Sequence, residues 1–154
     1  MQPFPHRYVV TAEALADGDV ALESDGLEPI RSAPPVEFDG PGGQWSPETL
    51  LVAAAADCFL LTFRAIANVS KLPWTSLTCN AHGIVDRVDR VTQFTALTLH
   101  ARLCLPPGAS EEQAWRVLRK AKEQCLVTNS FRFLTTLEAE VEVAEQIGVG
   151  SDQV

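Results

Sequence analysis

Positive charge is what this chain of 154 residues is shortest of: 12 Lys and Arg stand against 20 Asp and Glu, a formal net charge of −8. Nucleic acids and anionic membrane surfaces both demand a basic face, so neither is an expected partner. The first residues, Met1 to Tyr8, hold two prolines and no apolar core, unlike a secretory leader. The longest apolar stretch, Leu50 to Phe63, is short for a bilayer span and carries Asp57. A cytoplasmic setting is the expectation, with the four cysteines (Cys58, Cys79, Cys104 and Cys125) reduced at rest. They show neither C-x-x-C spacing nor a histidine at ligand spacing, so no metal is expected.

What is present reads as a single domain over 1–154, with its core over about 8–143. Tyr8 to Ala14, Val20 to Glu23 and Leu27 to Arg31 read as three short strands, separated by Asp17-Gly18-Asp19 and Ser24-Asp25-Gly26. A loop rich in Pro and Gly leads to a helix with a clear start. Ser46 suits the cap, Pro47 the first helical position and Glu48 the positive end of the dipole. This helix runs to about Asn68 and is apolar nearly all round, which predicts a central, buried element. Leu77 to Val85 and Thr95 to Leu105 alternate as strands around a polar connection, Asp86 to Arg90.

After Pro106-Pro107-Gly108, Ser110 and Gln113 form a capping box. Ala114, Leu118, Ala121 and Cys125 then mark one helical stripe. Phe133 to Val143 is a last strand, and the tail from Gln146 is expected to fray. The order β-β-β-α-β-β-α-(α)-β is that of an α+β fold, with a mainly antiparallel sheet on a long apolar helix.

Cysteine chemistry is the one reactive signal. Cys79 on an apolar strand face reads as a core residue, and Cys104 on a polar face as inert. Cys58 lies mid-helix in an alanine-rich wall, and Cys125 ends an inward stripe that a second helix can bring to it. His6, His82 and His100 raise a Cys–His nucleophile as in thiol hydrolases, although His82 and His100 read more simply as surface residues. Trp45, Phe59, Phe63 and Trp74 read as core packing before an apolar substrate pocket.

The segment Ser46-Pro47-Glu48-Thr49-Leu50 through Ala56-Asp57-Cys58-Phe59 resembles the P-E-x-L-x-x-A-x-x-x-C-F segment of the OsmC/Ohr family (osmotically induced and organic hydroperoxide resistance proteins). Ala121-Lys122-Glu123-Gln124-Cys125-Leu126-Val127-Thr128 is similar to that family's second signature, A-K-x-x-C-x-V-S. The resemblance implies an OsmC-like fold and thiol-dependent reduction of organic hydroperoxides in stress protection. Cys58 would be the peroxidatic thiol, Cys125 the resolving thiol and Glu48 an active-site residue. It implies no metal, haem or flavin, a dithiol reductant such as a lipoylated protein, and an intertwined homodimer. Glu48 and Cys58 are ten positions apart, about 15 Å along a straight helix, so a Glu48 serving a Cys58 would come from the other subunit.

Two departures accompany the match. The family's activating arginine has no counterpart: Asp17-Gly18-Asp19 fills the hairpin where one branch keeps it, and Glu37 precedes Phe38-Asp39-Gly40 where the other does. Arg31 is the nearest candidate replacement. Asp57, moreover, puts an acid directly before the nucleophile. The alternative reading is therefore a dimeric small-molecule-binding protein on the same fold, with weak or absent peroxidase activity.

Overall fold

The computed structural model describes residues 2–145. The expectation for the tail from Gln146 lies outside the described residues. The chain divides into two compact units, residues 1–51 and 52–154, with the division inside the first long helix.

The first unit holds an antiparallel meander of β1 (Thr11–Glu13), β2 (Val20–Glu23) and β3 (Ile30–Ser32) in sequence order. Thr11 faces Glu23, and Val20 faces Ser32. β1 is shorter than the run from Tyr8 predicts: Tyr8, Val9 and Val10 are exposed and outside the ladder. A short 3-10 turn, Val36–Phe38, follows, and Ser46 then starts α1 (Pro47–Ser70). The Ser46 Oγ accepts from the Thr49 amide at 3.2 Å, and the Thr49 Oγ1 accepts from the Ser46 amide at 2.8 Å. This is a reciprocal cap with Thr in place of the usual Glu or Gln.

In the second unit, the rest of α1 packs with β4 (Ser76–Val88), β5 (Val91–Leu105), α2 (Glu111–Gln124), α3 (Leu126–Asn129) and β6 (Leu134–Val143). α1 ends where Lys71 turns left-handed (φ 53°) and the Leu72 amide reaches back to the Ala67 carbonyl at 3.0 Å. The sheet order is β4-β5-β6, antiparallel for β4 and β5 and parallel for β5 and β6. A parallel pair needs a crossover, which α2 and α3 supply. The β4–β5 ladder runs further than the polar connection led the sequence to predict. It closes in two residues, Asp89 and Arg90, both at positive φ (50° and 69°). That left-handed pair matches the twist of the strands it joins.

Alternation along β5 decides where the core sits. Leu97, Leu99, Ala101, Leu103 and Leu105 are buried in one cluster with Ala55, Phe59, Phe63 and Ala67 of α1 and with Ala114, Val117, Leu118 and Ala121 of α2. Phe63 meets Trp74 edge to face, with ring centroids 5.4 Å apart. The opposite sheet face is polar, and there Arg102 donates to both carboxylate oxygens of Glu142.

α1 departs from expectation in two respects. It is 24 residues long, and its most apolar 18-residue window has a mean hydropathy of 1.9, enough by length and composition to cross a membrane, because the helix continues past Phe63 through Ile66. Only 28% of that apolar window is buried, so the chain by itself covers one face of α1 rather than enclosing it. The covered face packs into the core described above, as a core helix does.

Gly83 is where β4 admits α1. A Cβ there would come within 2.7 Å of the Val52 and Phe94 side chains. Gly83→Ala is expected to destabilise the fold by about 1–3 kcal/mol through this clash, read as a lower urea midpoint. An unchanged midpoint would show that Val52 and Phe94 yield freely.

Candidate functional site

α1 carries two stripes. Ala55, Phe59, Phe63 and Ala67, four residues apart, are buried in the core. Ala54, Cys58, Leu61 and Ala65, offset by three or four, face a groove of about 520 Å³, within the usual size of small-molecule sites. Ile66 and Val127 add apolar wall, and Asp57, Thr62 and Gln124 add polar atoms. The Thr62 hydroxyl is turned back to the Cys58 carbonyl at 2.7 Å. Among the described residues, no Lys or Arg lines the groove.

Cys125 stands behind this wall. α2 stops at Gln124, and Cys125 is extended (φ −66°, ψ 104°) between α2 and α3. It therefore lies one residue past the helical stripe that the sequence predicts it to end, yet it is fully buried, as that stripe implied. Its Sγ approaches the Ala55 carbonyl of α1 at 4.0 Å, one turn before Cys58, and the Cys58 side chain is near enough to shift the Cys125 thiol. Burial pushes the Cys125 thiol up. The Thr128 hydroxyl and amide favour its thiolate, and the Cys58 side chain adds to the upward shift. All four cysteines are free.

The other cysteines are distinguished by position. Cys79 on β4 faces the core and is close enough to Cys125 to feel its charge. Burial first, and then Cys125, push its thiol up to about 11, so it stays protonated near neutrality. Cys104 lies on the polar sheet face beside Arg102 and Glu142, away from the core-facing residues.

Of the predicted site residues, Cys58 and Cys125 are thus brought together and Glu48 is not. α1 runs unbroken through Glu48 and Cys58, so helical rise keeps them about 15 Å apart along the axis. The Glu48 Oε2 is buried without a hydrogen-bond partner among the described residues. Arg31 is exposed on β3, and Glu37 is exposed in the 3-10 turn. His82 and His100 share the polar sheet face, with ring centroids 4.6 Å apart and His100 Nδ1 3.1 Å from Glu138, so neither serves as a base for Cys58. Phe59 and Phe63 are core residues. The groove walls are instead Leu61, Ile66 and Val127, which the spacing of Leu61 from Cys58 on one helical face would have marked.

One thiol on the long helix α1 thus stands in front of a second at the joint of α2 and α3. Residues 40–142 match the family described as OsmC-like protein, and the chain belongs to that family. The uncharacterized protein YmaD of Bacillus subtilis is 28% identical over 112 residues, spanning 71% of this chain and 75% of its own. The peroxiredoxin OsmC of Escherichia coli is 26% identical over 125 residues, 81% of this chain and 86% of its own. Among solved structures, an organic hydroperoxide resistance protein of Legionella pneumophila superposes with a TM-score of 0.72 at 27% identity, covering 92% of this chain and all of that one.

Burial and an upward-shifted thiol predict a clear order of reactivity. In native protein at pH 7, iodoacetamide is expected to modify Cys58 and Cys104 at least tenfold faster than Cys125 and Cys79. Peptide mass mapping reads the order, and equal rates at Cys58 and Cys125 would contradict the burial.

Proposed function

We propose that this protein reduces organic hydroperoxides through a cycle between Cys58 and Cys125. The observation that carries the reading is a thiol in a largely apolar groove with a second, fully buried thiol seated behind it on the Ala55 carbonyl, one turn before Cys58. The Cys58 thiolate attacks the outer oxygen of ROOH. The O–O bond breaks, Cys58 becomes a sulfenic acid, and the alkoxide leaves and is protonated to ROH. The Cys125 sulfur then displaces that oxygen as water, leaving a Cys58–Cys125 disulfide, which limits overoxidation. An external dithiol, of the dihydrolipoyl kind, reopens it by exchange and leaves as its own disulfide. The exposed sulfur is that of Cys58, so the incoming thiolate attacks there and Cys125 is the leaving group.

A homodimer completes this reading. The uncovered apolar face of α1 and the orphaned Glu48 oxygen both support a second copy seated along the helix, which would bring Glu48 of the partner subunit to Cys58. Sedimentation at micromolar concentration is expected to give a dimer, and a fully active monomer would refute this part.

One equivalent of cumene hydroperoxide added to reduced protein is expected to remove two of four thiols, and none in Cys58→Ser. Four surviving thiols after prolonged exposure would sink the peroxidase reading. That result would favour a small-molecule-binding protein, which the groove's lack of a thiolate-activating cation supports.

The disulfide-forming step should carry a pH signature. A raised Cys125 pKa means less thiolate at neutral pH, so the rate climbs about tenfold per pH unit while the pH stays below that pKa. Stopped-flow measurement of disulfide formation after a peroxide pulse, between pH 7 and 9, checks the slope. A flat profile would show that Cys125 thiolate is not limiting.

A further inference from the structure

Within one chain, Asp57 is the one charged side chain lining the groove among the described residues. It precedes Cys58 on α1, and both residues line the same cavity, with Leu61 one turn beyond Asp57. Asp57 is exposed and forms no ion pair among the described residues. Neither Lys122 nor Arg64 forms an ion pair with it among the described residues. The Lys122 ammonium donates instead to the Thr135 hydroxyl at 2.9 Å. Arg64, on the same side of α1, is seven residues on, about 10 Å by helical rise, which is a full Debye length at ordinary salt. Any molecule whose reacting atom reaches the Cys58 sulfur therefore meets an unpaired carboxylate beside a wall that is otherwise uncharged within the chain.

We propose that Asp57 selects ligands by charge at Cys58, admitting neutral or cationic apolar molecules and turning anionic ones away. Where the ligand is a hydroperoxide, this rests on the peroxidase reading and narrows it to peroxides without a carboxylate near the O–O bond. The selection itself is a property of the groove and does not need turnover. A like charge about 6 Å away near a protein surface changes an approach rate by about three- to tenfold in the exposed limit.

Iodoacetamide and iodoacetate separate the two ideas, because they differ in charge and react by the same displacement of iodide by a thiolate. The rate of each at Cys58 is measured by peptide mass, with Cys104 in the same molecule as the internal reference. In the wild type the ratio of iodoacetamide to iodoacetate rates at Cys58 should exceed that at Cys104. Asp57→Asn should lower the Cys58 ratio three- to tenfold, Asp57→Glu should keep it, and 0.5 M salt should shrink the difference between wild type and Asp57→Asn. An unchanged ratio in Asp57→Asn overturns the proposal, even if cumene hydroperoxide is reduced normally. Conversely, a shifted ratio in a protein that leaves cumene hydroperoxide untouched sustains the proposal and ends the peroxidase reading.

Discussion

The contact between Ala55 of α1 and the joint of α2 and α3 is the constraint on which the site depends. Ala55 is fully buried and offers only a methyl group, so the Cys125 sulfur reaches its carbonyl at 4.0 Å. The same closeness recurs on the other side of the second unit, where Gly83 of β4 leaves space for Val52. Phe59 and Phe63 supply the apolar area that seats the helix on β5, and the small residues set how near it comes.

That seating gives the two cysteines different surroundings although they are neighbours. Cys58 looks out along the Ala54–Leu61–Ala65 stripe, whereas Cys125 looks into the core. Backbone geometry reinforces the difference. An extended residue between two helices points its side chain independently of either helical face, so Cys125 can be buried while Gln124 and Val127 on either side line the groove. Cys79 completes the contrast: it is near enough to influence Cys125, but burial holds it protonated.

Much of this was legible in the sequence, for physical reasons. β5 alternates strictly between core and polar face, and period-two patterning shows wherever one face is buried. Ser46 and Ser110 cap helices because a side-chain oxygen there satisfies an otherwise orphaned amide, as the bonds to Thr49 and Gln113 show. Two spaced motifs marked Cys58 and Cys125. Less could be read where long-range context decides. Tyr8 to Val10 have strand-forming residues but no ladder partner in β2. The end of α2 was placed one residue late because Cys125 fits the helical period although its backbone has left the helix. The groove walls escaped notice because α1 is apolar on both faces, and composition alone does not say which face the sheet covers.

The crossover that makes β6 parallel to β5 also orders events in time. β4 and β5 are joined by a two-residue turn and make local contacts, whereas β6 is joined to β5 only through the longer α2–α3 crossover, a connection that is slower to close. Cys125 sits inside that late-closing crossover, and Cys58 lies upstream of the hairpin. On a ribosome, where the chain emerges from its N-terminal end, Cys58 therefore spends an interval exposed before its companion thiol exists as part of the fold. The topology implies a nascent chain more vulnerable to oxidation than the finished protein, a difference that thiol labelling of stalled chains would register directly.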